Sequence, residues 1–543
     1  MCLCSVFSPQ LIQRPDTPAA SSVCRRPSPQ GGDFSHVHYW LKDCLNNHPN
    51  HTQITKRCGS CSDSNLPKRV LDLNWDHGST NVRLIESVEG QQGKYAALTY
   101  AWGPRPEDIF KTKPHTISQR MKGIKFDDLN PLFQQVIYVC RDLKIPYLWI
   151  DALCIIQDDK TDWEEQAPLM CDIYSNAFLT LSATDAQSPN ERILRETKHS
   201  DTLAMTYHQG GQVFLQPSVE GDVRGDEARK GVVNGRGWCL QERYLSKRIL
   251  HFTTKGVEWE CLSTTQHESR DLSLAYDDES VLIRPHGFEL GEDPYDIWYR
   301  VLQEYSRRSM TYDSDLLAGI SGLAELFRRL TSDYLLDCGL WSSQPLLGLL
   351  WEHLGLTEDR RPSSNPKASW SWLNTVGAKV WRPICHPRCV AVEELAVKDE
   401  THTITLRGIL LTLPSELRYY YAHRSYDEDL ESPFSFLEAN FDFELDDNIE
   451  EVEGGLFFLA LLRPVLDMHE GRVQADMSYK GDTTGWGLLL TSADAAGKYK
   501  RVGFAEISCE SFLYDTYCDI EDDQPYEEFW QKHNQDLIEV TLV

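Results

Sequence analysis

The sequence has no long apolar run, and no basic segment followed by an apolar stretch near its start. The first absence argues against a membrane-spanning helix, which needs about 18 or more apolar residues. The second argues against a secretory signal peptide. The 16 cysteines follow no regular spacing, so no disulfide framework is expected. We therefore expect a cytoplasmic protein with reduced thiols and no membrane span.

Several motifs of well-known enzyme classes are absent as well. The chain contains no GxGxxG, no GxxxxGK[ST], no HExxH and no GxSxG, so the dinucleotide-binding, phosphate-loop, metalloprotease and serine-hydrolase classes lack their signature. No WD or ankyrin period occurs either. The formal net charge is −28. An acidic surface repels a phosphate backbone, so no nucleic-acid partner is expected.

The composition is nevertheless that of a folded protein. Hydrophobic residues make up 41% and aromatic residues 10% of the 543 positions, which is enough for packed cores in two to four domains. The pattern divides the chain into a disordered tail (1–35), a lead-in with short strands (36–93), an α/β domain (94–261), an acidic loop (262–294), a helical region (295–368) and a β-rich C-terminal region (369–543).

The α/β domain is predicted from alternating strand and helix patterns. Strands are expected at 95–101, 147–153 and 178–184, each a short apolar run, and helices at 131–144 and 162–177, where apolar residues recur at helical spacing. Strands that alternate with helices predict a parallel sheet covered by helices.

The ends of the two helices carry their own signals. Pro131 suits the first turn of the first helix, with Asn130 as its N-cap. Asp162 and Glu165 have capping-box spacing at the start of the second, and Pro168 is expected to kink that helix or to mark its true start.

Three blocks in this order resemble one known family. They are YAALTYAWG (95–103), LWIDALCIIQDDKTDWEEQAPLMCDIYSNAFLTLSAT (148–184) and GRGWCLQERYLSKRILHF (235–252), and together they resemble the fungal heterokaryon incompatibility (HET) domain. A weaker likeness covers most of the chain after residue 36. The resemblance implies self/non-self recognition and programmed cell death in innate immunity, by protein partners or self-association. Relatives with a nucleotide switch and a repeat sensor carry motifs that this chain lacks.

The same resemblance implies a parallel-sheet fold similar to the Toll/interleukin-receptor (TIR) domain, and hence an alternative function. Some TIR-like domains, activated by self-association, cleave NAD with a glutamate in a helix after a buried strand. The corresponding helix here contains Trp163 and Glu165, and Gln166 stands three residues after the tryptophan. A glutamine cannot act as a carboxylate, so a nucleosidase with NAD as substrate would have to use Glu165.

Polar residues after the predicted strands mark a candidate binding edge, because ligands of open parallel sheets collect beyond the carboxyl ends of the strands. Glycosidic cleavage requires a carboxylate to stabilise positive charge on a sugar ring, and Asp151 and Glu165 are the catalytic candidates. The alternative is that Asp151 pairs with Arg236 or Arg243 inside the domain. The binding candidates at this edge are Trp102, Gly103, Gln157, Asp158, Arg236 and Glu242.

Cysteines and histidines in the lead-in suggest a metal site. Cys58 and Cys61 form a Cys-x2-Cys pair, and Cys44 and His48 form a Cys-x3-His pair, with spacings that zinc tolerates. The alternative is that these residues are solvated thiols and imidazoles in a loop. No other cofactor is indicated.

Two further groups of residues are expected to be structural. Cys154 and Cys239 have no histidine near them in sequence, so they are expected to be buried thiols rather than nucleophiles. The tryptophans of the three blocks are expected to be core aromatics, with base stacking as an alternative for Trp102. They are Trp102, Trp149, Trp163 and Trp238.

Overall fold

The computed structural model describes residues 34–46, 58, 63–75, 78–194, 203–206, 212–215, 231–254, 256–267, 293–354, 368–381, 390–413, 437–441, 456–462, 468–469, 472–473, 484–494, 497–508 and 537–543. Two units are present. The N-terminal unit is Met1–Glu292 with Gly319–Glu325, and the C-terminal unit is Asp293–Ala318 with Leu326–Val543. Most of the predicted tail (1–35) and acidic loop (262–294) lies outside the described residues.

The N-terminal unit alternates strands and helices. Its strands are β1 (Ser64–Asn65), β2 (Arg69–Asp72), β3 (Arg83–Glu86), β4 (Gln92–Gly93), β5 (Tyr95–Thr99), β6 (Tyr147–Trp149), β7 (Leu179–Ser182), β8 (Leu203–Thr206), β9 (Gln212–Leu215), β10 (Arg248–Thr253), β11 (Gly256–Cys261) and β12 (Thr265–His267). Its helices are α1 (Ser35–Asn46), α2 (Ile117–Lys122), α3 (Pro131–Asp142), α4 (Asp151–Cys154), α5 (Lys160–Gln166), α6 (Met170–Asn176) and α7 (Gly237–Leu245).

Eight of these strands form one sheet, in the spatial order β12-β11-β10-β7-β5-β6-β2-β3. The four central strands, β10, β7, β5 and β6, are parallel to one another. The outer strands are antiparallel: β2 and β3 form a hairpin beside β6, and β11 and β12 continue from β10. In chain order the parallel strands stand 2-1-3-4 across the sheet, the start of a flavodoxin-type doubly wound order. The predicted parallel sheet is thus the centre of a mixed sheet.

The central strands form where the sequence is most continuously apolar. Every residue of β5 and of β7 is buried, as expected for strands covered on both faces. Helix α3 begins at Pro131 and buries seven residues along its length, among them Leu132, Phe133, Val136 and Ile137. Burial of such side chains stabilises the fold by about 1.5–3 kcal/mol each.

Three local expectations need correction. The predicted strand 147–153 ends at Trp149, because Asp151 begins a helical turn instead. The predicted helix 162–177 starts earlier, with Asp159 as the N-cap, while the 3-10 turn around Pro168 before α6 agrees with the kink expected there. Asn130 does not cap α3 through its side chain; its Oδ1 accepts a hydrogen bond from the Phe110 N–H at 2.8 Å. In each case a side chain found a tertiary or neighbouring backbone partner that local propensity does not reveal.

The C-terminal unit is β-rich, as the sequence predicts. It contains α8 (Pro294–Ser306), the end of α9 (Ser321–Thr331), α10 (Pro345–Leu349), β13 (Trp351–His353), β14 (Lys379–Trp381), β15 (Val392–Lys398), β16 (Thr403–Gly408), β17 (Leu410–Leu413), β18 (Leu437–Phe441), β19 (Leu456–Leu462), β20 (Met468–His469), β21 (Arg472–Val473), β22 (Thr484–Ser492), β23 (Lys498–Ser508) and β24 (Ile538–Leu542). The main sheet has the order β15-β16-β24-β23-β22-β19-β17, and β18 pairs with β23.

Two apolar groups support this second unit. One is a cluster of buried strand residues that includes Leu406, Leu459, Leu488 and Val540. The other is aromatic: the ring of Trp341 lies 5.0 Å from that of Trp298 and 4.3 Å from that of Phe327, centroid to centroid. The helical region and the β-rich region thus share one unit rather than forming two.

Candidate functional site

The order of the central strands identifies the edge of the sheet where a ligand is expected in the N-terminal unit. The chain runs from β5 to β6 on one side of β5 and then crosses to β7 on the other side. The carboxyl ends of β5 and β7 therefore flank a topological switch point, the usual ligand position in such sheets. Thr99 of β5, Ser182 of β7 and His251 of β10 are register partners in adjacent strands at this edge.

Asp151 is held at this edge by residues that follow β5. Its Oδ1 accepts hydrogen bonds from the Tyr100 hydroxyl at 2.8 Å and from the Ala152 N–H at 2.6 Å, and its Oδ2 accepts one from Trp102 Nε1 at 2.7 Å. Burial raises the pKa of Asp151, while these hydrogen bonds and the positive charge of Arg236 oppose the rise. Each oxygen of the carboxylate thus accepts a hydrogen bond from an aromatic side chain, which fixes its orientation.

Glu242 of α7 is a second carboxylate at the same edge. It is 8% exposed, and burial raises its pKa from 4.5 to about 7, with Asp151 adding to the rise and Thr99 and Arg236 opposing it. Burial and the neighbouring Asp151 carboxylate thus both raise the pKa of Glu242, a pattern typical of interacting acids in functional sites. Arg236, which precedes α7, thus influences the titration of both, and Arg243 pairs elsewhere.

We predict that the N-terminal unit loses about 2–3 kcal/mol of unfolding free energy through Glu242 as the pH rises from about 4.5 to about 7. The folded-state pKa lies above the ordinary value of 4.5. The stabilisation is therefore complete below pH 4.5 and is lost as pH rises through 7. Urea unfolding at pH 5 and pH 8 should show this loss in the wild type and little of it in Glu242→Gln.

The exposed Glu165 provides the matched control for this experiment. Glu165→Gln changes the same functional group at a position that is 56% exposed, so its pH dependence should follow that of the wild type. An unchanged slope in Glu242→Gln would mean that Glu242 does not bind its proton more tightly in the folded state.

A second polar network lies beside the first and was not found from sequence. His251 Nε2 is 2.7 Å from Glu260 Oε2, and His251 Nδ1 is 3.2 Å from Thr184 Oγ1. Arg243 Nε donates to Glu260 at 3.1 Å. The side chains of Thr184 and His251 are almost completely buried. The only sequence signal was the position of His251 inside the third block and of Thr184 at the end of the second.

The loop after β5 packs closely against Gln187 and Ser188, and a pocket lies in the segment that follows this loop. Gly103 has φ +79°, and a Cβ there would lie 2.7 Å from Ser188 Cβ, so only glycine fits. Lys111 Nζ lies 5.5 Å from the centroid of the Trp102 ring. A pocket of about 410 Å³, open to solvent, is lined by Glu107, Ile109, Phe110, Lys111, Lys113, Thr116 and Arg120. Its three basic side chains suit an anionic ligand.

Glu165 and Gln166 occupy very different environments on α5. Glu165 accepts a hydrogen bond from Lys68 Nζ at 2.6 Å on the surface. Gln166 is 1% exposed, and its Nε2 has no hydrogen-bond partner among the described residues. Of the two catalytic candidates, Asp151 thus belongs to the hydrogen-bonded group at the switch point. Glu165 instead forms an ion pair with Lys68, in the lead-in before the domain.

Two further binding candidates, Gln157 and Asp158, lie in different environments. Gln157 Nε2 donates to the Asp151 carbonyl oxygen at 3.2 Å, so it supports the turn that contains Asp151. Asp158 is exposed and lies 2.8 Å from Lys113 Nζ, which lines the pocket. The expectation that all four tryptophans are core residues holds for Trp149, which is completely buried. It is wrong for Trp163, which is 42% exposed, and Trp102 and Trp238 are only partly buried. Helix α5 presents Trp163 outward because Asp162 and Gln166 take its buried face.

The cysteines divide into buried single thiols and one cluster. Cys154 and Cys239 are buried, and burial raises the pKa of Cys154 to about 12, which suits a structural thiol rather than a nucleophile. Cys44 and Cys58, both predicted metal ligands, lie together with Cys261, which was not predicted as a ligand. The other two predicted ligands, His48 and Cys61, lie outside the described residues.

These features define an α/β domain with a doubly wound parallel centre and paired carboxylates at its switch point. Residues 95–242 match the family model described as Heterokaryon incompatibility protein (HET). The chain therefore carries a HET domain, and the match covers the first two sequence blocks completely and the third as far as residue 242. We found no significant match among curated proteins or among solved structures. In the described part of the chain, no helix has the length and apolar character needed to cross a membrane.

Proposed function

We propose that this chain is a signalling protein of heterokaryon incompatibility that acts by assembly. In this proposal, self-association of HET domains after a self/non-self recognition event triggers programmed cell death, as part of an innate immune response in the cytoplasm. The observation that carries the proposal is the match of residues 95–242 to the HET family model.

The surface of the HET domain supports an assembly mechanism. Trp163 of α5 is 42% exposed, and Leu169, in the turn that follows, is 41% exposed. Large apolar side chains that remain in water are favourable anchors for a protein contact, and tryptophan is enriched among residues that dominate binding energy. A second copy of this chain is the proposed partner.

The hydrogen bonds of Asp151 also favour assembly over catalysis. Both carboxylate oxygens already accept from neighbouring side chains or backbone, which gives this group a structural role at the end of β6. Glu165, the carboxylate of α5 that the TIR-like alternative would use, is paired with Lys68 instead.

A TIR-like NAD nucleosidase activated by self-association is the second candidate function. The observation in its favour is the pair Asp151 and Glu242 at the switch point, with a basic pocket beside the same loop. In such a reaction the Asp151 carboxylate would stabilise positive charge on the ribose as the bond to nicotinamide breaks. Lys111, Lys113 and Arg120 would contact the phosphates.

One experiment separates the two candidates. The wild type, Trp163→Asp, Asp151→Asn and Glu165→Ala would be expressed in a fungal host, and growth, cellular NAD and oligomeric state would be measured together. We expect the wild type to arrest growth at steady NAD. Trp163→Asp should restore growth and shift the protein to monomer, because a buried unpaired carboxylate at a contact costs several kcal/mol. Asp151→Asn and Glu165→Ala should remain toxic when their thermal unfolding shows that they are folded.

Tyr138 provides a matched control for the tryptophan substitution. It is an aromatic residue of similar exposure, 36%, on α3, so Tyr138→Asp should leave toxicity and oligomeric state unchanged. Loss of NAD in the wild type that disappears in folded Asp151→Asn would establish the nucleosidase and contradict the assembly proposal. Normal growth with well-expressed wild type would contradict the cell-death role.

A further inference from the structure

We propose that Cys44, Cys58 and Cys261 form a structural zinc site that fastens α1 to the antiparallel edge of the central sheet in the N-terminal unit. The site does not depend on the proposed function, and it is distinct from the carboxylates at the switch point. The three cysteines would bind zinc as thiolates, and the metal would stabilise the fold without a catalytic role.

The geometry of the three sulfurs carries the proposal. The Sγ atoms all lie within 4.8 Å of one another, and the three side chains are 0%, 1% and 0% exposed. A tetrahedral zinc with bonds of about 2.3 Å holds its sulfur ligands roughly 3.8 Å apart. The cluster therefore needs a contraction of at most about 1 Å to accept the ion, and it has the burial typical of a structural rather than a catalytic site.

The positions of these cysteines in the fold explain what the metal would do. Cys44 lies in α1, Cys58 in the segment before β1, and Cys261 at the end of β11. Three parts of the chain that are remote in sequence thus meet at one point. Zinc binding at such a point contributes directly to folding free energy, because the site does not exist in the unfolded chain.

Arg248 supplies the electrostatic complement. Three thiolates and one Zn²⁺ carry a net charge of −1, which is costly to bury without a cation. Arg248 is 2% exposed, its Nε lies 3.3 Å from Cys44 Sγ, and its Nη2 donates to the Cys58 carbonyl oxygen. The Arg248 guanidinium thus contacts the sulfur of one ligand and the backbone of another. Contacts of this kind, made by residues that do not bind the metal themselves, orient the metal ligands.

The donor set favours a thiolate-binding metal such as zinc over hard cations. Soft thiolate ligands exclude Mg²⁺ and Ca²⁺, which take oxygen donors. A disulfide would join two of the three sulfurs and leave the third buried beside it, whereas a metal uses all three. Ser263 Oγ lies 3.4 Å from Cys58 Sγ and adds a polar contact to this ligand. A structural zinc is four-coordinate, so a further protein donor would complete the tetrahedron.

Metal analysis and cobalt substitution of the full chain test the proposal. Chain purified without chelator from zinc-supplemented culture should contain about one zinc per chain by elemental mass spectrometry. Replacement by Co²⁺ should give the sulfur-to-metal charge-transfer band and the visible bands of a tetrahedral thiolate site. Removal of zinc by a chelator should lower the thermal unfolding temperature of the wild type, and zinc alone should restore it.

Variants identify the ligands. Cys44→Ser, Cys58→Ser and Cys261→Ser should each lose most of the bound zinc and the charge-transfer band. Cys140→Ser is the matched control, since Cys140 is a completely buried thiol of α3 outside the cluster, and it should retain both. A folded wild type that binds neither zinc nor cobalt would overturn the site. Full zinc content in folded Cys261→Ser would overturn the ligand assignment.

Discussion

Substitution of Arg69 by methionine should lower the free energy of unfolding of the N-terminal unit by about 3–5 kcal/mol. Arg69 is 1% exposed; its Nη2 bonds to Asp162 Oδ2, and its Nε donates to the Cys154 carbonyl oxygen at 2.7 Å. Burial raises the pKa of Asp162, but hydrogen bonds from Arg69 and from the Ile156 N–H lower it below its ordinary value. Methionine would leave this buried carboxylate without its main partner, and urea unfolding measures the loss.

Arg83 provides the matched control on the neighbouring strand. Its ion pair with Asp72, at 3.2 Å, is partly exposed, with 40% of the Arg83 side chain accessible to solvent. Arg83→Met should therefore cost at most about 1 kcal/mol. The double variant Arg69→Met with Asp162→Leu should recover most of the stability, because it also removes the buried carboxylate that has lost its arginine. Equal losses for Arg69→Met and Arg83→Met would refute the special importance of the buried pair.

A fragment limited to residues 95–242, the span of the family match, should fail to fold cooperatively. It retains β5, β6 and β7 but lacks β10, the fourth parallel strand, and the strands β2, β3, β11 and β12 of the same sheet. Apolar residues that those strands cover would be exposed on both sides of the remaining core. Circular dichroism during heating should show no sigmoidal transition.

Residues 34–325 form the comparison fragment for this prediction. That fragment keeps all eight strands of the sheet and the segment that contains Gly322, whose N–H donates to Gln241 Oε1 at 3.0 Å. It should unfold in one cooperative transition. A cooperative transition in the 95–242 fragment would show that the strands outside the family match are dispensable for folding.

Much of the HET domain could be predicted from sequence because its signals are local. Continuous apolar runs predicted β5 and β7, Pro131 predicted the start of α3, and the three aromatic-rich blocks predicted the family. The change to short β-prone runs predicted the β-rich C-terminal unit. Period and composition are properties of neighbouring residues, so they are visible without a structure.

The candidate site was only partly predictable for the opposite reason. Asp151 was identified because it lies at the end of a predicted buried strand, and the structure adds Tyr100 and Trp102 as its hydrogen-bond donors. Glu242 was selected only as an edge residue, yet its pKa near 7 depends on burial against β5 and on its distance from Asp151. Periodicity predicted Trp163 as a core residue, whereas the packing of α5 leaves it exposed.

The sequence by itself predicted the HET match of residues 95–242, the alternation of strands and helices, and two of the three cysteines in the proposed zinc site. Only the tertiary structure decided the order of the strands, the pairing of Arg69 with Asp162, and the arrival of Cys261 beside Cys44 and Cys58. The physical reason is range: propensity and periodicity act between neighbours in the chain, whereas burial, pairing of charges and convergence of ligands depend on which distant segments pack together.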